Sequence, residues 1–298
     1  MGVRHENSRR SGRWASIGII CALLIPLQPV QGATVAPAER LDCLATEDAL
    51  AYWRPIRESV GEEELNADEL ALELVDCLGS PDPELRDRIG YEVLTYWLRG
   101  EHVTDDTRRA LVTTLTNSLR DASEEAALRR SFSALVLAEV LRSDANQPFL
   151  SDEERAAILN DAAAALERET DFRGLVHDLG WVHPVAHMSD VLWRLALHPS
   201  TTSADGPAIL AALQPKIAPN GASYAFNESD RMARVVVVLL RRSLLAPEAV
   251  TEWLSGFERP QHMETWGAAF QSPEGMAELH NTKLFLRALS DQLVGVDV

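Results

Sequence analysis

Arg231–Leu245 reads RMARVVVVLLRRSLL, and the reading of its middle decides the fold. Val235–Leu240 has the β-branched composition of a buried strand. No neighbouring run of that kind exists to pair with it, so the segment is read as a central buried helix, opened by Asn227 or Ser229. The chain is then all-α.

Both flanks agree. Leu44–Ser59 is the first expected helix. Asn66 with Glu69 forms a capping-box pattern for a helix to Leu78, and Asp82-Pro83 supplies a cap and a first-turn proline for one to Arg99. Thr104 opens a helix to Leu119, Ser123 one to Arg142, and Ser151 with Glu154 another. Helices follow over Gly206–Ile217, from Pro247 to Gly256, and from Pro273 or Glu274. Glycine-proline turns such as Leu78-Gly79-Ser80-Pro81 separate them. Paired helices recur at roughly forty residues, the period of HEAT-type arrays. The expected architecture is a HEAT-like array of helical hairpins, an α-α superhelix forming one domain over residues 42–298.

Glu169–Arg194, ETDFRGLVHDLGWVHPVAHMSDVLWR, concentrates the side-chain chemistry, with three of the eight histidines. Thr170 or Asp171 is expected to cap a short helix that Gly180 ends in the left-handed conformation. Pro184 begins the next helix with His183 at its cap. At roughly 100° per residue His183, His187, Asp190 and Arg194 share one stripe, while Met188, Val191, Leu192 and Leu195 face the core. Two imidazoles at i and i+4 can grip a divalent metal, with Asp190 as third ligand. The bland alternative is a hydrogen-bonded structural cluster in which His183 caps the helix and Asp190 orients a ring. The zinc-protease helix is excluded, because Pro184 stands where its catalytic glutamate belongs. Trp181 either lines a pocket or wedges two helices together. His177 reads as a surface residue, and Asp171 and Arg173 pair with each other or reach the stripe.

At these residues the chain resembles a bacterial family known as domain of unknown function 2785. The resemblance lies in Asp171-Phe172-Arg173-Gly174 and in the run from Gly180 to Asp190, a G-W-x-H-x-x-A-H-x-x-D pattern. Glu228-Ser229-Asp230-Arg231 and Asn281–Arg287 resemble two further family blocks. Met188 departs from the pattern, where a smaller or polar residue is expected. The resemblance implies an all-helical, repeat-like fold and no particular activity. It supports a shared hollow in which Glu228, Asp230 and Arg231 join the histidines and Trp266, Asn281 and Lys283 complete the rim. The local alternative for Asp230 is an i,i+4 pair with Arg234.

Residues 1–32 read as a signal peptide. Arg4, Arg9, Arg10 and Arg13 precede the apolar Ala15–Leu27, with cleavage expected after Gly32 or, alternatively, Ala36. Residues 33–41 are a short linker. The expected location is periplasmic or secreted, or anchored by the N-terminus where the segment is uncut. Cleavage removes four arginines and one glutamate, taking the net charge from −17 to −20. That acidity, with Lys216 and Lys283 the only lysines, excludes nucleic acid as a partner. Cys43 and Cys77 are then either a disulfide or two buried thiols.

The functional expectation is a binding or scaffold module holding a peptide, glycan or small molecule in an acidic concave pocket centred on His183, His187 and Asp190. The alternative is a hydrolase or lyase using the same cluster, with or without a divalent metal. No nucleophile elbow or phosphate loop supports a particular reaction.

Overall fold

The computed structural model describes Cys43 and residues 46–62 and 65–294. The leader and linker expectations lie outside the described residues. The fold is all-α, and among the described residues the only strands are those of one hairpin, two residues each.

The helices are α1 (Thr46–Glu58), α2 (Ala67–Leu74), α3 (Glu92–Arg99), α4 (Asp105–Arg120), α5 (Ala127–Asn146) and α6 (Asp152–Arg168). After the hairpin β1 (Leu175–Val176) and β2 (Gly180–Trp181) come α7 (Pro184–Leu197), α8 (Gly206–Ile217), α9 (Glu228–Arg241), α10 (Pro247–Ser255) and α11 (Pro273–Leu293). Short local signals set most starts. Thr104 accepts the Thr107 amide at the head of α4. Ser151 and Glu154 form a reciprocal capping box on α6, with bonds of 3.2 and 2.7 Å that satisfy amides no helix interior could. Asn66 caps α2 as its sequence implies.

Helices alternate between two layers. Along one, α5, α7, α9 and α11 contact each other in turn; along the other, α4 meets α6 and α6 meets α8. The core runs between the layers. Val235 to Leu239 of α9 are all buried, as expected of a central helix rather than a strand. Helix α5 is buried on nearly every side, which explains its lack of an amphipathic pattern.

Three local readings change. The stretch before α3 is one wide π-helical segment, Glu84–Tyr91, continuing directly into α3. Helix α5 begins at Ala127 rather than Ser123, because the Ser123 amide is held by Asp121 in a turn. Residues 171–180 form no helix. Leu175 pairs with Trp181 and Val176 with Gly180, and Asp178 and Gly180 take positive φ at the tip. Gly180 does adopt the left-handed conformation, but to turn a hairpin.

Cys43 and Cys77 form a disulfide with Cα atoms 4.9 Å apart. Among the described residues no helix is long and apolar enough to cross a membrane.

Candidate functional site

Helix α7 lies at the centre of the second half of the chain, against α5 on one side and α9 on the other. Its core face is the expected one: Met188, Val191 and Leu192 are fully buried and Leu195 nearly so. Met188 therefore shapes the core and not a pocket. The opposite stripe opens on a cavity of about 660 Å³. His183, His187, Asp190 and Arg194 all line it, joined by Trp181 from the hairpin and Arg231 and Arg234 from α9.

His183 sits at the N-cap of α7 with φ 47° and ψ 42°. A left-handed conformation in a non-glycine residue costs on the order of 1–2 kcal/mol. It is held by a 3.0 Å bond from its amide to the Arg173 carbonyl, and its own carbonyl accepts the His187 amide at 3.1 Å. The side chain makes no capping bond. Instead the ring stacks on Trp181, centroids 5.0 Å apart, and points Nε2 at Glu228 Oε1 across 3.4 Å. That is ion-pair range but not hydrogen-bond geometry, and neither buried atom has another partner among the described residues. The other Glu228 oxygen accepts the Phe226 amide at 2.8 Å. Burial alone raises the Glu228 carboxyl; contact with His183 and nearby backbone amides outweighs it and leaves the group below its usual range.

His187 has a different environment. Its Nδ1 lies 2.9 Å from Ser131 Oγ, and the Ser131 hydroxyl reaches the Val182 carbonyl. Burial pushes the imidazole down to about 3, with His183 and Arg231 adding to the effect. It is a neutral ring at ordinary pH.

Asp190 neither orients a ring nor stands free. Arg231 and Arg234, one turn apart on α9, each donate to one of its oxygens. Arg234 thus pairs with Asp190 and not with Asp230. Its guanidinium also lies 3.9 Å from the Trp193 ring centroid, with Arg194 at 4.3 Å from the same ring. Across the cavity the buried Glu139 takes both arms of Arg99, at 2.7 and 2.8 Å, and Arg194 at 3.3 Å.

Several expected rim residues lie elsewhere. Asp171 and Arg173 clasp each other at a second depression beside Glu169. Asp230 is exposed, with its carbonyl accepting Gln292. Trp266 and Lys283 do not line the cavity. Asn281 is fully buried and structural: it accepts the Tyr224 amide at 2.9 Å and donates to the Ala222 carbonyl at 2.6 Å, tying the loop before α9 to α11. His177 is exposed at the hairpin tip.

Sequence reasoning missed Arg86, Glu139 and Phe226. Arg86 is wholly buried and donates to the Leu179 carbonyl at 2.8 Å and the Ser80 carbonyl at 3.1 Å, anchoring the hairpin that carries Trp181. Its guanidinium lies over Phe132, a cavity wall, at 4.7 Å. Phe226 packs edge-on to Trp181 at 6.0 Å, against Gly174, where a Cβ would come within 2.1 Å of its ring. No local pattern marks these three; their roles arise from contacts far along the chain.

Among the described residues no three of His, Cys, Asp and Glu gather in metal-holding geometry. Asp190, the expected third ligand, is taken by two guanidiniums.

The family model described as "Protein of unknown function (DUF2785)" matches residues 115–290, more than half the chain. The chain belongs to that family. No curated protein and no solved structure matches it.

Proposed function

We propose that this member of the DUF2785 family is an exported binding module of HEAT-like architecture, whose ligand is a small molecule held in the cavity between α5, α7 and α9. The observation that carries this reading is the aromatic lining of a polar hollow. Tyr91, Phe132, Trp181, Trp193 and Phe226 wall a space of about 660 Å³. Its volume and its mix of flat apolar surface with a few fixed polar groups are those of small-ligand sites. The charged side chains within it are bonded to one another, which favours recognition over turnover. Export is supported by the basic-then-apolar leader pattern and the Cys43–Cys77 disulfide.

The test is a thermal-shift screen of small molecules against the wild-type chain and Ala138→Leu, which places extra carbons on the cavity wall. Ligands that stabilise the wild type and not the filled variant support the reading. Equal responses in both proteins sink it.

A second reading has its own observation. His183 and Glu228 form a buried imidazole–carboxylate pair beside the cavity, on a strained backbone, a combination that recurs where protons are transferred. In that reading Glu228, and not Asp190, is the partner of the histidine. Hydrolysis of ester or glycoside panels that disappears in Glu228→Gln, with folding retained, supports it; no turnover in the wild type ends it.

A further inference from the structure

The chain is strongly acidic, at −17, yet the cavity is not. Its carboxylates Asp190 and Glu139 bond four guanidiniums between them: Arg231 and Arg234 on the first, Arg99 and Arg194 on the second. The remaining lining acid, Asp87, is occupied by buried Arg86 at 2.8 Å. The three lining carboxylates thus match the three lining arginines, and the wall is balanced where the chain as a whole is strongly negative. Arg194, Arg231 and Arg234 each commit one nitrogen to a carboxylate and keep further N–H groups. The Nε of Arg234 is buried and has no partner among the described residues. Burial lowers the Arg234 guanidinium from its ordinary range, and Arg231 and Arg194 add to this against the opposing pull of Asp190.

An acidic groove is what the net charge implies; the cavity wall instead carries as many arginines as carboxylates. We infer that the cavity takes an organic anion, its carboxylate or phosphate group seated among Arg194, Arg231 and Arg234 and its ring against Trp181 and Phe226. This deepens the binding reading and rests on it. Guanidinium forks suit both anion types, because each presents paired oxygens to parallel N–H donors. A bound anion would accept from the spare N–H groups of the three arginines, the Arg234 Nε among them.

The experiment titrates the purified chain with four probes sharing one aromatic body: naphthoate, naphthyl phosphate, naphthamide and naphthylmethylammonium. Calorimetry is expected to give the two anions affinities at least about tenfold above the neutral amide, a gap of about 1.4 kcal/mol. The relative strength of naphthoate and naphthyl phosphate separates a carboxylate site from a phosphate site. The anion preference should shrink in roughly 1 M salt, where the screening length falls to about 3 Å, and vanish in Arg231→Gln/Arg234→Gln. Should that double variant not fold, Arg194→Gln carries the same test, with a partial loss expected.

Amide or ammonium binding as tight as the anions would overturn the anion assignment while leaving the binding reading intact. If no probe binds, collisional quenching decides. The Trp193 component, obtained as wild type minus Trp193→Phe, should be quenched more by iodide than by caesium. The reverse order, which the overall negative charge alone would produce, overturns the inference.

Discussion

His187 Nδ1 lies 2.9 Å from the hydroxyl of Ser131, and that hydroxyl spends its only hydrogen on the Val182 carbonyl. Ser131 can then only accept, so His187 must donate from Nδ1, leaving Nε2 as a bare acceptor. A neutral imidazole is part of the folded structure, with burial holding its pKa at about 3.

The sign of the pH dependence follows. The unfolded ring protonates near its ordinary value of about 6.5 and the folded ring does not, so the unfolded state binds more protons between those values. The contribution is complete above about pH 6.5 and drains away as the pH falls towards about 3. Between about pH 7 and pH 5 the loss is on the order of 2 kcal/mol, or a Tm lower by about 4–8 °C. His187→Gln, which cannot titrate, should flatten that part of the profile. An equally steep fall in the variant assigns it to other groups.

Asp190→Asn should separate stability from binding. The substitution leaves Arg231 and Arg234 facing an amide. Breaking a buried pair costs about 3–5 kcal/mol, and since both arginines are about one-third exposed, a loss of roughly 1–3 kcal/mol is expected. Affinity for naphthoate should rise, because two guanidiniums are released. A metal-ligand role would instead produce loss of binding, so titration of the folded variant distinguishes the two.

Gly174→Ala places a Cβ within 2.1 Å of the Phe226 ring, with its Cβ also closer than 3 Å. Phe226 must move, and Trp181 with it. Overpacking of this kind costs about 1–3 kcal/mol. The variant should fold, melt lower, show altered near-ultraviolet tryptophan signals and bind cavity ligands more weakly. Unchanged ligand affinity would remove Phe226 from the site.

Reduction of Cys43–Cys77 opens a covalent loop with a sequence separation of 34. The loop-entropy relation puts the loss at about 3–4 kcal/mol. Both cysteines are buried, so reductant should act slowly on the native protein and fast near its Tm. A double Cys→Ala variant melting with the wild type would refute the stabilising role.

Legibility in the sequence followed the range of the interactions. The caps at Asn66, Thr104 and Ser151 act over three residues, and each appears where its residue type implies. The stripe His183, His187, Asp190, Arg194 was legible because α7 alone sets which residues share a face; all four line one cavity. The segment before it reads as a helix and folds as a hairpin. Its hairpin is stabilised by Arg86, 93 positions from the Leu179 carbonyl it holds, and no local propensity registers such a bond.

The sequence by itself determined the helical class, most helix starts and the side of α7 that carries polar chemistry, since backbone hydrogen bonding and side-chain periodicity are settled within a few residues. Only the tertiary structure decided what those polar groups do. Asp190 meets Arg231 and Arg234 across 41 and 44 positions, and Glu139 meets Arg99 across 40. Coulomb interactions depend on distance in space and not along the chain. An acidic polypeptide therefore folds around a hollow whose arginines and carboxylates balance.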